Sequence, residues 1–229
     1  MGTILRTRFR PLAEDERQDF TLAINATLTL LGLLIGFSFS MAISRYDQRK
    51  NFEEEEANAI GTAYLRAELL PATNIATTHE LLLTYLDNRV QFYTTRSEDQ
   101  LARIDAETSK LQSELWSQVR SVAGAQPTPV MALVISGVND VLNTQGYTQA
   151  AWWNRIPIAA WALMGAIALC SNVLVGYAAH RSGGFVLLIL PLAVSISFLL
   201  IADIDSPRGG LIRVNPQNLV SLSQSLRHQ

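Results

Sequence analysis

A single cysteine, Cys170, stands among 229 residues. A disulfide within the chain is therefore excluded, and so is a cysteine-based zinc site. The three histidines, His79, His180 and His228, lie far apart in sequence. Charged residues are scarce at 17%, against roughly 25% in an ordinary soluble domain. With 48% hydrophobic residues, the chain is too apolar to remain disordered. Eighteen basic and twenty acidic residues leave a net charge of −2, so nucleic acid is not expected as a partner. There is no glycine-rich phosphate loop, no HExxH, no GxSxG and no CxxC, the motifs that announce common catalytic or cofactor sites. The expectation is a non-enzyme without cofactor or bound metal.

Charge is missing most completely from three stretches: Phe20 to Ser44, Ile156 to Ala179 and Ser182 to Ala202. A helix needs about 20 residues to cross a hydrocarbon core of about 30 Å. Three such runs leave too little polar chain to cover them in a soluble fold, so each is read as a transmembrane helix. The first run is not a secretory leader: Glu14, Asp15, Glu16 and Asp19 precede it, it is too long, and no clear cleavage site follows. The expected organisation is a polar N-terminal tail (1–19), transmembrane helix 1 (20–44), an extramembrane helical bundle (45–155), transmembrane helices 2 (156–179) and 3 (182–202), and a C-terminal tail (203–229). The five residues from His180 to Gly184 make so short a link that helices 2 and 3 must be an antiparallel hairpin. Trp152 and Trp153 precede helix 2, where an interfacial aromatic belt is expected. Pro157 sits harmlessly in its first turn, whereas Pro191 interrupts helix 3. Gly32 and Gly36 form a small-xxx-small pair.

Most of the charge lies between 45 and 155. Arg45 to Leu70 reads as a helix continuing from the first span and ended by Pro71. Leu82, Leu83, Leu86, Val90 and Tyr93 form the stripe of a second helix, over Thr77 to Arg96. Ser97, with Gln100 three residues on, predicts a capping box for a third, with the stripe Leu101, Ile104, Leu111, Leu115, Trp116 and Val119. After the loop Gly124 to Pro129, Val130 to Leu142 reads as a packed amphipathic helix. Four helices make an all-α bundle.

Several residues admit two readings. Asp203 and Asp205 form either a cation site or, more commonly, a cap or salt-bridge partner. The run Glu53 to Glu56 is either a cation-attracting ring in an oligomer, or a solvated helix face, or a pairing of Glu53 and Glu54 with Arg49 and Lys50 one turn earlier. Arg208 and Arg213 frame a Pro-Arg-Gly-Gly turn whose backbone approaches an anion or another helix, or which folds the tail back onto the bundle. Thr27, Ser38 and Ser40 place hydroxyls on helix 1 for an ion or a neighbouring helix.

Specific motifs then resemble a known family. Gly36-Phe37 followed by small and apolar residues and Arg45-Tyr46 is similar to the bestrophin pore helix. Asp203-Ile204-Asp205-Ser206-Pro207-Arg208-Gly209 resembles the acidic-Pro-x-Gly segment beyond the last bestrophin span. The fuller pattern is similar to the bacterial bestrophin-like domain family and covers almost the whole chain. It comprises Phe39 to Ala42, Arg45-Tyr46-Asp47, Glu55-Glu56-Ala57-Asn58 through Thr62, Tyr64-Leu65-Arg66, Asp203-x-Asp205-x-Pro207 and Gly210 to Val214.

That resemblance implies a bestrophin-like, all-α integral membrane protein of the bacterial inner membrane. It implies a homo-oligomer, pentameric in true bestrophins, that acts as a passive ion channel, usually for anions. Its partners would be the lipid bilayer, copies of itself and inorganic ions. Helix 1 would line the pore, with Thr29, Leu33 and Phe37 at the neck; Leu33 and Phe37 gate by dewetting, and Thr29 gives a wetter entrance. For Leu33 and Phe37 the alternative is contact with lipid or another helix. Arg45, Tyr46, Glu56, Asn58, Asp203, Asp205, Pro207 and Arg213 would be structural positions of the family motif. The bundle and C-terminus would face the cytoplasm, which the near-even count of flanking cations leaves open. Three spans stand where bestrophins have four, and Arg208 to Arg213 stands where calcium-regulated members carry an acidic cluster, so no calcium clasp is expected. The rival function is a membrane interaction or sensor module.

Overall fold

The computed structural model describes residues 14–178 and 186–228. The basic residues of the tail, Arg6, Arg8 and Arg10, and the hairpin link from His180 to Gly184 lie outside the described residues. Seven helices form among those described: α1 (Glu14–Ala67), α2 (Ala72–Thr94), α3 (Glu98–Ala125), α4 (Pro129–Trp153), α5 (Ile158–Ala178), α6 (Val186–Asp205) and α7 (Gln217–Arg227). Three helical stretches are long and apolar enough to cross a membrane. The chain divides into two compact units.

One unit comprises the described part of Met1–Ser44 and of Arg155–Ser206. Leu31 of α1, Ala168 of α5 and Val194 of α6 meet at its core, with Ile35, Ile167, Leu190 and Phe198 packed around them. Trp161 meets Phe198 edge-on at 6.2 Å, and Ile156 meets Asp205. Residue numbers rise on α5 as they fall on α6, so the two helices are antiparallel. Several polar side chains inside the spans have partners within the unit, which lowers their cost in lipid. Thr27 Oγ1 donates to Ala23 O at 2.7 Å, Asn172 Nδ2 to Ala168 O at 2.8 Å, and Ser38 Oγ to Met164 Sδ at 3.1 Å. Thus two of the three candidate hydroxyls are spoken for, and Ser40 remains on the exposed face.

The other unit, Arg45–Asn154 with Pro207–Gln229, is the bundle. Its core takes Ile60 and Ala63 from α1, Leu82, Leu86 and Phe92 from α2, Leu111 and Leu115 from α3, and Val138, Val141 and Trp152 from α4. Ser97 caps α3, accepting from Gln100 N at 3.4 Å. The reciprocal half of the box is replaced: Gln100 Oε1 accepts from Thr95 Oγ1 at 2.8 Å. Pro71 sits just ahead of α2 as its N-cap, since α1 has already ended at Ala67. Trp152 is buried at 4% exposure in the bundle core, while its neighbour Trp153 is exposed at 74%. Only Trp153 is free to serve a belt.

Helix α7, within the segment read as a tail, adds Leu219 and Leu226 to the bundle core. Its first turn is held by Glu53, which accepts from Leu219 N at 2.9 Å and Asn218 Nδ2 at 2.6 Å. A carboxylate there satisfies an orphan amide and complements the positive end of the helix. The last turn is held by an Arg227–Asp87 ion pair. Gly61 makes room for α7: a Cβ there would stand 3.2 Å from Leu222 Cδ1.

Candidate functional site

Thr29, Leu33 and Phe37 are all exposed on α1, Leu33 at 53% and Phe37 at 62%. They share that face with Asn25, Gly32, Gly36, Ser40 and Ser44, each exposed. Spacings of three and four residues align Asn25, Thr29, Gly32, Gly36, Ser40 and Ser44 into one stripe. A Cβ added at Gly32 or Gly36 would meet nothing within 4 Å. The opposite face, with Leu31, Ser38 and Ala42, is buried. The outward residues of the other two spans differ in kind. On α5 they include Ile158, Leu163 and Leu169, and on α6 Leu188, Ile189, Leu192, Ile196 and Leu199, each more than half exposed. Such faces suit lipid tails. A stripe of amide, hydroxyl and glycine does not gain from contact with lipid.

The acidic run divides. Glu54 and Glu55 are exposed, as a solvated face requires, but Glu53 and Glu56 are buried at 1% and 0%. The reading of the run as a single face, ring or solvated, is therefore corrected. The 3.6-residue period places Glu53 and Glu56 on the inner side of α1. Glu56 accepts from Arg89 Nε, from Tyr93 OH at 3.2 Å and from Thr148 Oγ1 at 3.3 Å. One carboxylate thus ties α1 to α2 and α4. Arg89 lies 4.2 Å from the centroid of Phe92, and its two terminal nitrogens find no acceptor among the described residues. The ring face offers the guanidinium a further electrostatic contact. Phe92, Tyr93 and Trp152 pack edge to face at 5.0–5.5 Å. Arg208 inserts beside them, 4.5 Å from Phe92 and 4.3 Å from Trp152. Its Nη1 donates to Phe92 O at 2.7 Å and Thr95 O at 3.2 Å, capping the C-terminus of α2. The Pro-Arg-Gly-Gly segment therefore docks on the bundle through its arginine.

Burial lowers the Arg89 pKa, but Glu56, Tyr85 and Tyr93 outweigh it, so the guanidinium is held charged more firmly than usual. Burial, and then the Glu56 carboxylate, push the Tyr85 and Tyr93 phenols well above their ordinary value. A folded state that keeps protons the unfolded chain releases loses stability as pH rises. Stability from these phenols is fully present below pH about 10, the unfolded tyrosine value, and falls as pH rises above it. Tyr85→Phe removes one such group at the cost of a single weak contact to Gln112, at 3.5 Å. Its alkaline unfolding midpoint, followed by tryptophan fluorescence in detergent, is expected to move upward. An unchanged midpoint would place the alkaline transition elsewhere.

The remaining motif residues fall as follows. Arg45 is half-buried and Tyr46 packs against the bundle core. Asn58 is exposed, one residue beyond buried Ala57. Asp203 is half-buried, and Asp205 is buried at the end of α6, where both its oxygens accept from Ile156 N at 3.0 and 3.2 Å. Asp205 thus acts as a cap for the chain entering α5. Among the described residues no group of three His, Cys, Asp or Glu is placed to hold a metal. Pro207 is buried, and Arg213 is half-buried. Arg89, Thr148 and Asn218 were not singled out by sequence reading, and Tyr93 only as part of an apolar stripe, because nothing local marks them as partners of Glu53 or Glu56.

A bacterial bestrophin homolog from Klebsiella pneumoniae aligns with a TM-score of 0.70 at 14% identity, over 90% of this chain and 86% of that one. Two forms of that homolog, each with one mutation, align at TM-scores of 0.69 and 0.70, also at 14% identity. They cover 91% and 90% of this chain and 87% and 86% of theirs. At such identity the likeness is one of fold. No match was found among curated protein sequences. The Bestrophin-like domain profile matches residues 4–219, nearly the full length. An all-α membrane architecture, three candidate spans and a match of this extent together place the chain in the bestrophin-like family.

Proposed function

We propose that the chain is a passive ion channel in which copies assemble around an axis lined by α1. The observation that carries this is the stripe Asn25, Thr29, Gly32, Gly36, Ser40 and Ser44, exposed on the spanning helix whose described outward face holds the most polar and glycine positions. A second copy, or water between copies, gives these groups partners that lipid does not. In that assembly Leu33 and Phe37, one turn apart, narrow the neck, and Thr29 hydrates its entrance. The family resemblance supports a pentamer, conduction of anions, insertion in the bacterial inner membrane, and a cytoplasmic bundle and C-terminus. Arg45, Tyr46, Asn58 and Pro207 are structural in this reading, alongside Glu56 and Asp205, whose contacts are described above.

The test is flux of halide and of potassium into liposomes carrying the folded protein. Halide flux is the expected result. Phe37→Ala, which removes an exposed ring without disturbing the subunit core, is expected to raise that flux about twofold or more by widening an apolar constriction. No flux of either ion from inserted protein would instead favour an interaction module. An unchanged rate in Phe37→Ala would remove Phe37 from the neck.

A further inference from the structure

Within the bundle unit, a cavity of about 300 Å³ opens between the end of α2 and the segment that follows Pro207. Tyr93, Thr94, Arg213 and Asn215 line it, with Leu211 at its rim. Arg213 is the only charged group among its lining residues. Its Nε is buried and has no hydrogen-bond acceptor among the described residues. No described carboxylate forms an ion pair with it. The half-buried guanidinium, which no described carboxylate neutralises, leaves the cavity with one uncompensated positive charge and donors facing it, the chemistry that an anionic ligand satisfies. Thr94, Asn215 and the Tyr93 ring supply polar and stacking surface beside it.

The rim is equally particular. Leu211 is 91% exposed and Ile212 is 39% exposed. They stand six and seven residues after Asp205, the last residue of a membrane-spanning helix. Six residues of extended chain reach at most about 20 Å, which limits how far Leu211 can stand from the end of that helix. An exposed aliphatic side chain on the cavity lining, followed in sequence by a second, beside a half-buried cation matches an acyl chain beside a phosphate, and it matches a free ion in water poorly.

We propose that this cavity binds the phosphodiester of an anionic phospholipid, with Arg213 taking the phosphate and Leu211 lying along the acyl chain. The site is separate from the face of α1 and does not depend on conduction. The full-length protein in detergent is titrated with phosphatidylglycerol, with phosphatidylcholine and with inorganic phosphate, and bound molecules are counted by native mass spectrometry. Saturable retention of one phosphatidylglycerol per subunit is expected, tighter than that of phosphatidylcholine. Arg213→Ala is expected to weaken it by about tenfold or more, as loss of a charge-assisted fork to phosphate should. Arg213→Lys, which keeps the charge without the fork, should fall between. Leu211→Ser, at a position too exposed to affect folding, should weaken phosphatidylglycerol and leave inorganic phosphate unchanged. Retention that is indifferent to both Arg213→Ala and Leu211→Ser overturns the site. Binding of inorganic phosphate without saturable lipid overturns the lipid as its source, and equal binding of the two lipids overturns the preference for an anionic one.

Discussion

Glu56→Ala is expected to destabilise the bundle by about 3–5 kcal/mol, the cost of leaving a buried cation without its partner. Glu56 and Arg89 are both fully buried. The carboxylate also accepts from Tyr93 and Thr148, so its removal strands one charge and two hydroxyls on two helices, α2 and α4. In thermal unfolding of the detergent-solubilised chain, with Trp152 as a core reporter, the loss corresponds to a fall of roughly 10–20 °C. The pair itself is not a net source of stability: taking two charges out of water costs about as much as their attraction returns. The double variant Glu56→Leu with Arg89→Leu is therefore expected to recover most of the loss. A single Glu56→Ala variant that unfolds like the wild type would show that water reaches Arg89 and that the cluster is not sealed.

This cluster marks the boundary of what could be read from the sequence. The spans were legible because a charge-free run of about 20 residues or more matches the thickness of the hydrocarbon core, and a small soluble fold has no room to bury three of them. Ser97 was legible because a cap is a local event, decided within four residues. Glu56 was not, because its partners come from positions 89, 93 and 148, and which face of α1 turns inward depends on helices that lie far along the chain. Trp152 and Trp153 show the same limit at one step: successive helical residues point about 100° apart, so one packs on Arg208 and Phe92 and the other does not. Helix α7 escaped notice because its 11 residues carry too short an apolar stripe to stand out. Glu53 and the Arg227–Asp87 pair, not its own propensity, hold it in place. On α1 the sequence placed Thr29, Leu33 and Phe37 one turn apart. It took the exposure of every residue in the stripe, and the contrast with α5 and α6, to separate a stripe rich in polar groups and glycine from two mostly aliphatic faces.

The second large effect is expected at Gly36. Tryptophan there is tolerated by the subunit, since a Cβ at Gly36 meets nothing within 4 Å and tryptophan is a better helix former than glycine. Its consequence depends entirely on what the exposed stripe faces. If α1 lines a pore, each copy projects an indole toward the same axis and fills it. Ion flux into liposomes is then expected to fall by about tenfold or more, because conduction through a narrow apolar neck depends on its remaining wet. Leu192→Trp is the matched control. It lies on the outward face of α6, 61% exposed with Leu188, Ile189 and Ile196 beside it, and a bulky apolar ring facing lipid should leave flux unchanged. Gly32 and Gly36 also fit close helix packing between copies, and that reading has a different signature. Gly36→Trp would then break the assembly, and its mass in detergent would fall along with flux. An intact assembly with flux lost assigns the stripe to the pore wall. An intact assembly with flux retained removes α1 from the axis, because a ring of indoles cannot share a conducting neck with the ions that pass through it.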